Sequence, residues 1–235
     1  MEESKLLIED KNIVTPGDIL AEGLDYLPSS GCYRTGNIIK SKYFGVVRIK
    51  NRYLSVIPLA GAYMPKSGDG VIAKISDIQT TFWICDINSP YDAILQIGEV
   101  AEEYIDLTRT DISSFFDIGD IIYAKILNVT KSKNILLTMK DYRARKLIGG
   151  RLIKVTPSKV PRIIGKEGSM IELIKNKTGC QIIVGQNGIV WFKGQNEALA
   201  AKVILMIEKE AHIPGLTDRV NAFLDKFSNI KGEKL

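Results

Sequence analysis

The sequence has one histidine, three cysteines and no long apolar run, and each scarcity removes a class of function. Acid–base or two-metal hydrolysis needs histidines or clustered carboxylates held together in a cleft. His212 stands alone beside Pro214 at an expected helix end, where a surface or capping role is the ordinary one. Cys32, Cys85 and Cys180 lie far apart with no Cys-x-x-Cys pair, so they offer no zinc site. They read as reduced, small, buried residues of a reducing compartment. No apolar stretch approaches the ~20 residues that span a bilayer. Met1-Glu2-Glu3-Ser4-Lys5 is too acidic and polar for a secretory signal, so a cytoplasmic protein without membrane contact is expected. Neither a phosphate-binding P-loop nor a nucleophile elbow occurs. Glu102, Glu103 and Asp106, with Asp111 nearby, form an acidic group in a polar connection, where carboxylates are normally just solvated. The chain is therefore read as a binder with no catalytic residue, no metal and no cofactor.

What is present suits a packed, multidomain protein. A hydrophobic content of 45% over 235 residues gives core enough for one large domain or two to three small ones. The net charge of +5 is compatible with nucleic acid without demanding it. Its distribution is more telling. Between Lys125 and Arg162 the sequence holds eleven basic residues and one acidic residue, Asp141. That run is either a solvated linker or a basic track joining two RNA-facing modules.

The most informative stretch is Val160-Pro161-Arg162-Ile163-Ile164-Gly165-Lys166-Glu167-Gly168-Ser169-Met170-Ile171. Two glycines bracket two polar residues, which permits a tight turn and close approach of another backbone. Ser169 opens an amphipathic helix with Met170, Ile171 and Ile174 on one face and Glu172, Lys175 and Asn176 on the other. A helix N-terminus beside such a loop suits a phosphate. Gly179 sits at the expected helix end. Around this core stand a short strand, Leu152 to Val155, and a brief helix, Ser158 to Ile164. Beyond it come two runs rich in β-branched residues, Gln181 to Val184 and Ile189 to Lys193, joined by a turn at Gln186-Asn187-Gly188. A last helix carries Ala200, Val203, Ile204 and Ile207 at i, i+3, i+4 and i+7. The order β-α-loop-α-β-β-α over residues 148–212 resembles a KH domain of the eukaryotic type. That resemblance implies an RNA-binding loop, with Arg162, Gly165, Lys166, Glu167, Gly168 and Lys175 as its candidate residues. Glu167 departs from the pattern, because its carboxylate repels a nearby phosphate. The KH unit is thus either a clamp or a scaffold.

Upstream, Val71–Ile75, Phe82–Ile87, Ala93–Ile97, Ile121–Val129 and Ile135–Met139 read as five short strands. A longer connection after the third strand fits a five-stranded OB barrel. Gly70-Val71-Ile72, Phe116-Asp117-Ile118-Gly119-Asp120 and Ile135-Leu136-Leu137-Thr138-Met139-Lys140 resemble the RNA-binding OB domain first described in ribosomal protein S-one, over residues 66–143. Such barrels stack bases on exposed aromatics while cations follow the backbone. Phe82, Trp83 and Tyr91 are the aromatic candidates, and Lys125, Lys131 and Lys133 the cations. Neighbours in a strand face opposite ways. Trp83 shares its face with Cys85 and Ile87 and reads as core, which leaves Phe82 and Tyr91 as platforms.

Residues 1–65 read as a small all-β domain, with strands Tyr43–Ile49 and Tyr53–Leu59 joined at Lys50-Asn51-Arg52. Residues 213–235 read as a final helix and tail. Thr217 is placed to cap that helix, and Val220, Phe223, Leu224 and Phe227 form its apolar face.

A β domain, an OB domain and a KH domain in this order resemble the RNA-binding cap subunits of the archaeal exosome. The segments that carry the likeness are Thr15-Pro16-Gly17-Asp18, Gly61 to Asp69, Asp86-Ile87-Asn88-Ser89-Pro90-Tyr91 and Gly165 to Gly168. The resemblance spans residues 5–212. It implies a non-catalytic subunit that captures single-stranded RNA and feeds its 3′ end into a hexameric ring of ribonuclease-PH-like proteins for phosphorolysis. It also implies a cap trimer, alone or mixed with the zinc-ribbon cap protein, in which the N-terminal domain docks onto the ring and the OB domains surround the pore. Two other readings stay open: a transcription elongation factor of the antitermination type, and a structural ring clamp without RNA contact.

Overall fold

The computed structural model describes residues 4–100 and 112–232, the side chains of 227–232 excepted. Glu102, Glu103, Asp106 and Asp111 thus lie outside the described residues, as does the Phe227 side chain. The chain divides after Gly61 into two compact units.

Short alternating segments make the first unit all-β. Its strands are β1 (Lys5–Leu6), β2 (Ile13–Val14), β3 (Ile19–Glu22), β4 (Leu27–Pro28), β5 (Cys32–Thr35), β6 (Ile38–Ser41), β7 (Gly45–Lys50) and β8 (Tyr53–Pro58). They form two four-stranded sheets, in the orders β1-β3-β6-β5 and β2-β7-β8-β4. Lys50 pairs with Tyr53, leaving Asn51-Arg52 as a two-residue hairpin turn, with Asn51 in the left-handed region at φ 56°. The period of two sends Leu54 and Val56 inward, where they join Val14, Leu20, Ile39 and Val47 in a buried apolar core.

The second unit begins with a barrel built from β9 (Gly70–Ile78), β10 (Phe82–Asp86), β11 (Ala93–Gln96), β12 (Ile121–Val129) and β13 (Ile135–Thr138). The pairings β13-β11-β10-β9-β12 are closed by β13 against β12, so no barrel edge is left open. Trp83 is fully buried and its indole N–H donates to the Phe116 carbonyl at 3.0 Å, edge-on to the Phe116 ring at 5.4 Å. This satisfies the polar atom of the largest core side chain. A sixth strand, β14 (Arg145–Leu147), is absent from the sequence reading. It pairs with Ile121–Tyr123 of β12, continuing the edge that β13 covers only from Lys125 onward. Leu147 is the only buried side chain in it, so the segment has no alternating pattern to announce it.

The KH portion follows with β15 (Arg151–Lys154), α1 (Val160–Ile164), α2 (Ser169–Thr178), β16 (Cys180–Val184), β17 (Ile189–Gly194) and α3 (Glu197–Glu210). Its sheet runs β15-β17-β16. The apolar stripe of α3, Ala200, Val203, Ile204 and Ile207, is fully buried. Gly179 ends α2 in the left-handed conformation and its amide donates to the Lys175 carbonyl. The last helix, α4 (Leu216–Gly232), inserts Val220 and Leu224 into this same core. The Arg219 amide bonds to the Gly215 carbonyl, so Gly215 occupies the cap position. Thr217 lies inside the first turn rather than capping it.

Barrel and KH portion meet at a built seam. The β16–β17 hairpin closes through Gln186-Asn187-Gly188, with Gly188 left-handed at φ 77°. Asn187 is fully buried there. Its Nδ2 donates to the Ile72 carbonyl at 2.7 Å and to the Ile87 carbonyl at 2.9 Å, and its Oδ1 accepts the Ile72 amide at 3.3 Å. Asn88 Nδ2 returns a bond to the Asn187 carbonyl, and the Gln186 amide reaches the Gly70 carbonyl. Ile72, Leu147, Ile189 and Trp191 pack together beside this lock.

Asn187→Ala strands two buried barrel carbonyls without donors. We expect a loss of about 2–4 kcal/mol in urea unfolding of the whole chain. An unchanged midpoint would show that the seam does not depend on this side chain.

Candidate nucleic-acid interface

The glycine-bracketed loop is shaped by its own packing. Gly165 sits at φ 77°, ψ 176°, a region reserved for glycine. A Cβ there would lie 2.7 Å from the Met170 amide nitrogen, so the loop folds flat against the first turn of α2. Glu167 adopts φ 53°, ψ 25°, and Gly168 φ 84°, ψ 4°. Around Gly168 there is room, the nearest atom to an added Cβ being Ile171 Cγ2 at 3.9 Å. Lys166 and Glu167 are exposed, as is Arg162 in the last turn of α1.

Beside the loop runs a groove between the KH portion and the barrel. One cavity of about 540 Å³ has a KH wall of Ile164, Ile171, Lys175, Ile182 and Val184. Tyr123 from β12, Tyr142 and Arg143 from the segment leading into β14, and Arg145 from β14 itself form its other wall. A second cavity of about 380 Å³ continues it toward Gly70, Lys125, Asp141 and Gln186. Tyr123, Tyr142, Arg143, Ile164 and Val184 line both, which makes them one trough.

Its electrostatics are basic. Lys125, Arg143, Arg145 and Lys175 face a single carboxylate, Asp141. The Arg143 amide at 3.0 Å holds Asp141 below the usual carboxylate range, a slight desolvation opposes this, and Lys125 Nζ at 3.3 Å adds to the lowering. Asp141 is therefore already paired. Burial pushes the Tyr123 phenol above its ordinary value, with the Arg143 charge offsetting part of that, so it is a neutral donor at neutral pH. The Arg143 guanidinium lies 5.0 Å from the centre of the Tyr142 ring.

The structure thus sorts the sequence candidates into separate places. Lys175 and Lys125 line the trough, and Ile164 joins it directly to the Gly165 loop. Tyr91, Lys131 and Lys133 lie elsewhere, in two loops at one end of the barrel. The parallel register Ala93↔Ile135 sets the 87–92 and 130–134 loops side by side, with all three side chains exposed. Phe82 is not part of either group. It opens β10 at the opposite barrel end, half-buried and paired with Gln96. Tyr123, Tyr142, Arg143 and Arg145 were not candidate site residues in the sequence reading. The run Asp141-Tyr142-Arg143-Ala144-Arg145-Lys146, an aromatic set among cations, is the signal that points to them.

Burial pushes the Cys85 thiol up to about 12, with Asp92 adding to it, and the Cys32 thiol up to about 11, so neither is a ready thiolate ligand. Among the described residues no three His, Cys, Asp or Glu side chains converge as metal ligands. Among them too, no helix is long and apolar enough to cross a membrane.

Family models match the chain in three consecutive segments. Residues 11–60 match the exosome RNA binding protein RRP4 N-terminal domain, 62–128 the RRP4, S1 domain, and 150–198 a KH domain. The exosome complex component Rrp4 of Pyrococcus abyssi is 48% identical over 94% of this chain and 84% of its own length. That of Thermococcus kodakarensis is 47% identical over 94% and 87%, and that of Methanothermobacter thermautotrophicus 44% identical over 97% and 72%. A crystal structure assigned to an exosome complex RNA-binding protein superposes with a TM-score of 0.67 at 33% identity, covering 73% of this chain and 99% of its own.

The two loop glycines differ in what they permit. Gly168→Ala meets only the left-handed strain, and we expect about 1 kcal/mol of destabilisation. Gly165→Ala also drives a Cβ into the α2 backbone and unfolds at distinctly lower urea. Equal midpoints for the two variants would contradict this account of the loop.

Proposed function

The chain belongs to the Rrp4 family of exosome complex components, and on that premise we propose that it is a non-catalytic, RNA-binding exosome subunit. It captures single-stranded RNA and directs the 3′ end into a hexameric ring of ribonuclease-PH-like subunits, which degrade it 3′ to 5′ by phosphorolysis. It works in the cytoplasm as part of a trimeric cap, alone or mixed with the zinc-ribbon cap protein. It breaks no bond itself.

The observation that carries this reading is the basic, tyrosine-containing trough in which the barrel and the KH portion each supply one wall. The cations that line it suit phosphates, and its apolar lining suits bases that are not paired in a duplex. The exposed group of Tyr91, Lys131 and Lys133 gives the strand a second contact on the barrel. Two modest contacts on one strand combine by effective concentration, as do the copies within a cap. For the ring contact, the first unit offers Ile13, Val46 and Ile57 as a cross-strand row, with Ile13 63% and Ile57 48% exposed. Docking covers that row. Glu167 favours the competing view of the KH portion as a scaffold, since its carboxylate stands between the two glycines.

Single-stranded RNA binding by the full chain across a salt series separates these views. We expect Arg145→Gln with Lys175→Gln to weaken binding and to flatten the log–log salt slope by about 0.7 for each phosphate left unneutralised. An unchanged slope would leave the trough without an RNA role. With phosphate and Mg²⁺ supplied, the chain alone leaves the RNA intact, and shortening of that RNA would contradict a non-catalytic subunit.

A further inference from the structure

We infer that Tyr142 is a stacking platform for one unpaired nucleobase, which makes the trough at the barrel–KH seam a nucleotide-binding site and not merely a basic track. This rests on the RNA-binding reading above and adds the chemistry of recognition to it.

Tyr142 is 85% exposed, more than any other large apolar side chain described, and it belongs to none of the core clusters. Folding therefore gains little from it. Yet its backbone is held firmly. The Ala144 amide bonds to the Asp141 carbonyl at 2.9 Å, so Asp141-Tyr142-Arg143-Ala144 is a closed turn with Tyr142 at its second position. Lys125 anchors the Asp141 end of the turn, and β14 anchors the other by pairing with β12. The Arg143 guanidinium lies over the ring at 5.0 Å, which restrains it from one side and leaves the other face for a ligand.

What stands around the ring defines that ligand. Ile164, Ile171 and Val184 make the KH wall largely apolar, with Lys175 on that wall and Arg145 on the opposite one. A flat π-system that carries an anion nearby satisfies both. A nucleotide within a single strand has that form, whereas a base inside a duplex offers no free face. The cavity of about 540 Å³ lies within the size range of small-ligand sites. The Gly165 loop borders the same trough through Ile164, so the strand's backbone can lie along the loop while one base turns inward.

The test uses the full chain and two labelled probes, a single-stranded oligoadenylate of about ten nucleotides and the same sugar-phosphate chain with abasic sugars throughout. Tyr142→Ala is expected to weaken oligoadenylate binding by about tenfold, to leave its salt slope unchanged, and to bind the abasic chain as the wild type does. Tyr142→Trp is expected to keep wild-type affinity. Arg145→Gln should instead weaken both probes. Oligoadenylate binding by Tyr142→Ala equal to that of the wild type would overturn the inference, as would an equal loss on both probes. If the wild type binds neither probe, the RNA-binding reading itself fails, and the stacking role fails with it.

Discussion

The seam that joins the barrel to the KH portion depends on the burial of one amide side chain. Asn187 gives both amide protons to barrel carbonyls and accepts a barrel amide in return, so a fully buried polar group is satisfied by the neighbouring domain alone. Such a group is costly wherever those partners are missing. The fold of the KH hairpin and the placement of the barrel are therefore coupled. The small cluster of Ile72, Leu147, Ile189 and Trp191 supplies the non-directional part of the same seam. Directional bonds fix the register, and apolar area fixes the closeness.

That lock is what gives the trough a defined shape. Two domains on a loose tether offer two separate patches, and ordering them against each other weakens binding when RNA joins them. Here the walls are held at a set spacing before any ligand arrives. Tyr142 and Arg145 come from the barrel side and Ile164 and Lys175 from the KH side, and the Gly165 loop runs along the rim. The one carboxylate in the trough is already matched by Lys125 and a backbone amide. Net positive charge therefore remains for phosphate without a buried, unpaired cation.

Elements with a strong period were legible in the sequence. The stripe of α3 follows from spacing alone, β8 from its β-branched and aromatic content, and the Trp83-Cys85-Ile87 face correctly marked Trp83 as core. The seam was not. Asn-Gly announces a hairpin turn on local grounds, and it makes one, but nothing local says that the asparagine side chain will be swallowed by another domain. β14 escaped because a short strand with one buried residue has no period. Tyr142 was hidden within a charged run that reads equally as linker or as basic track, and Phe82 was chosen as the outward neighbour of Trp83, although nothing local says which barrel end it occupies. Thr217 shows the usual limit of cap prediction, a displacement of the helix start by one or two residues.

If one RNA strand lies between the barrel and the KH portion, as proposed, it touches both walls of the trough. Photo-crosslinking tests this most directly, using the full chain and a single-stranded RNA that carries a photoreactive uridine, with adducts mapped by mass spectrometry. Adducts are expected on both walls, at or beside Tyr123 and Tyr142 on the barrel side and Ile164 and Lys175 on the KH side. Adducts confined to one domain, such as only the 130–134 loop, would contradict that proposal and leave the seam a structural joint.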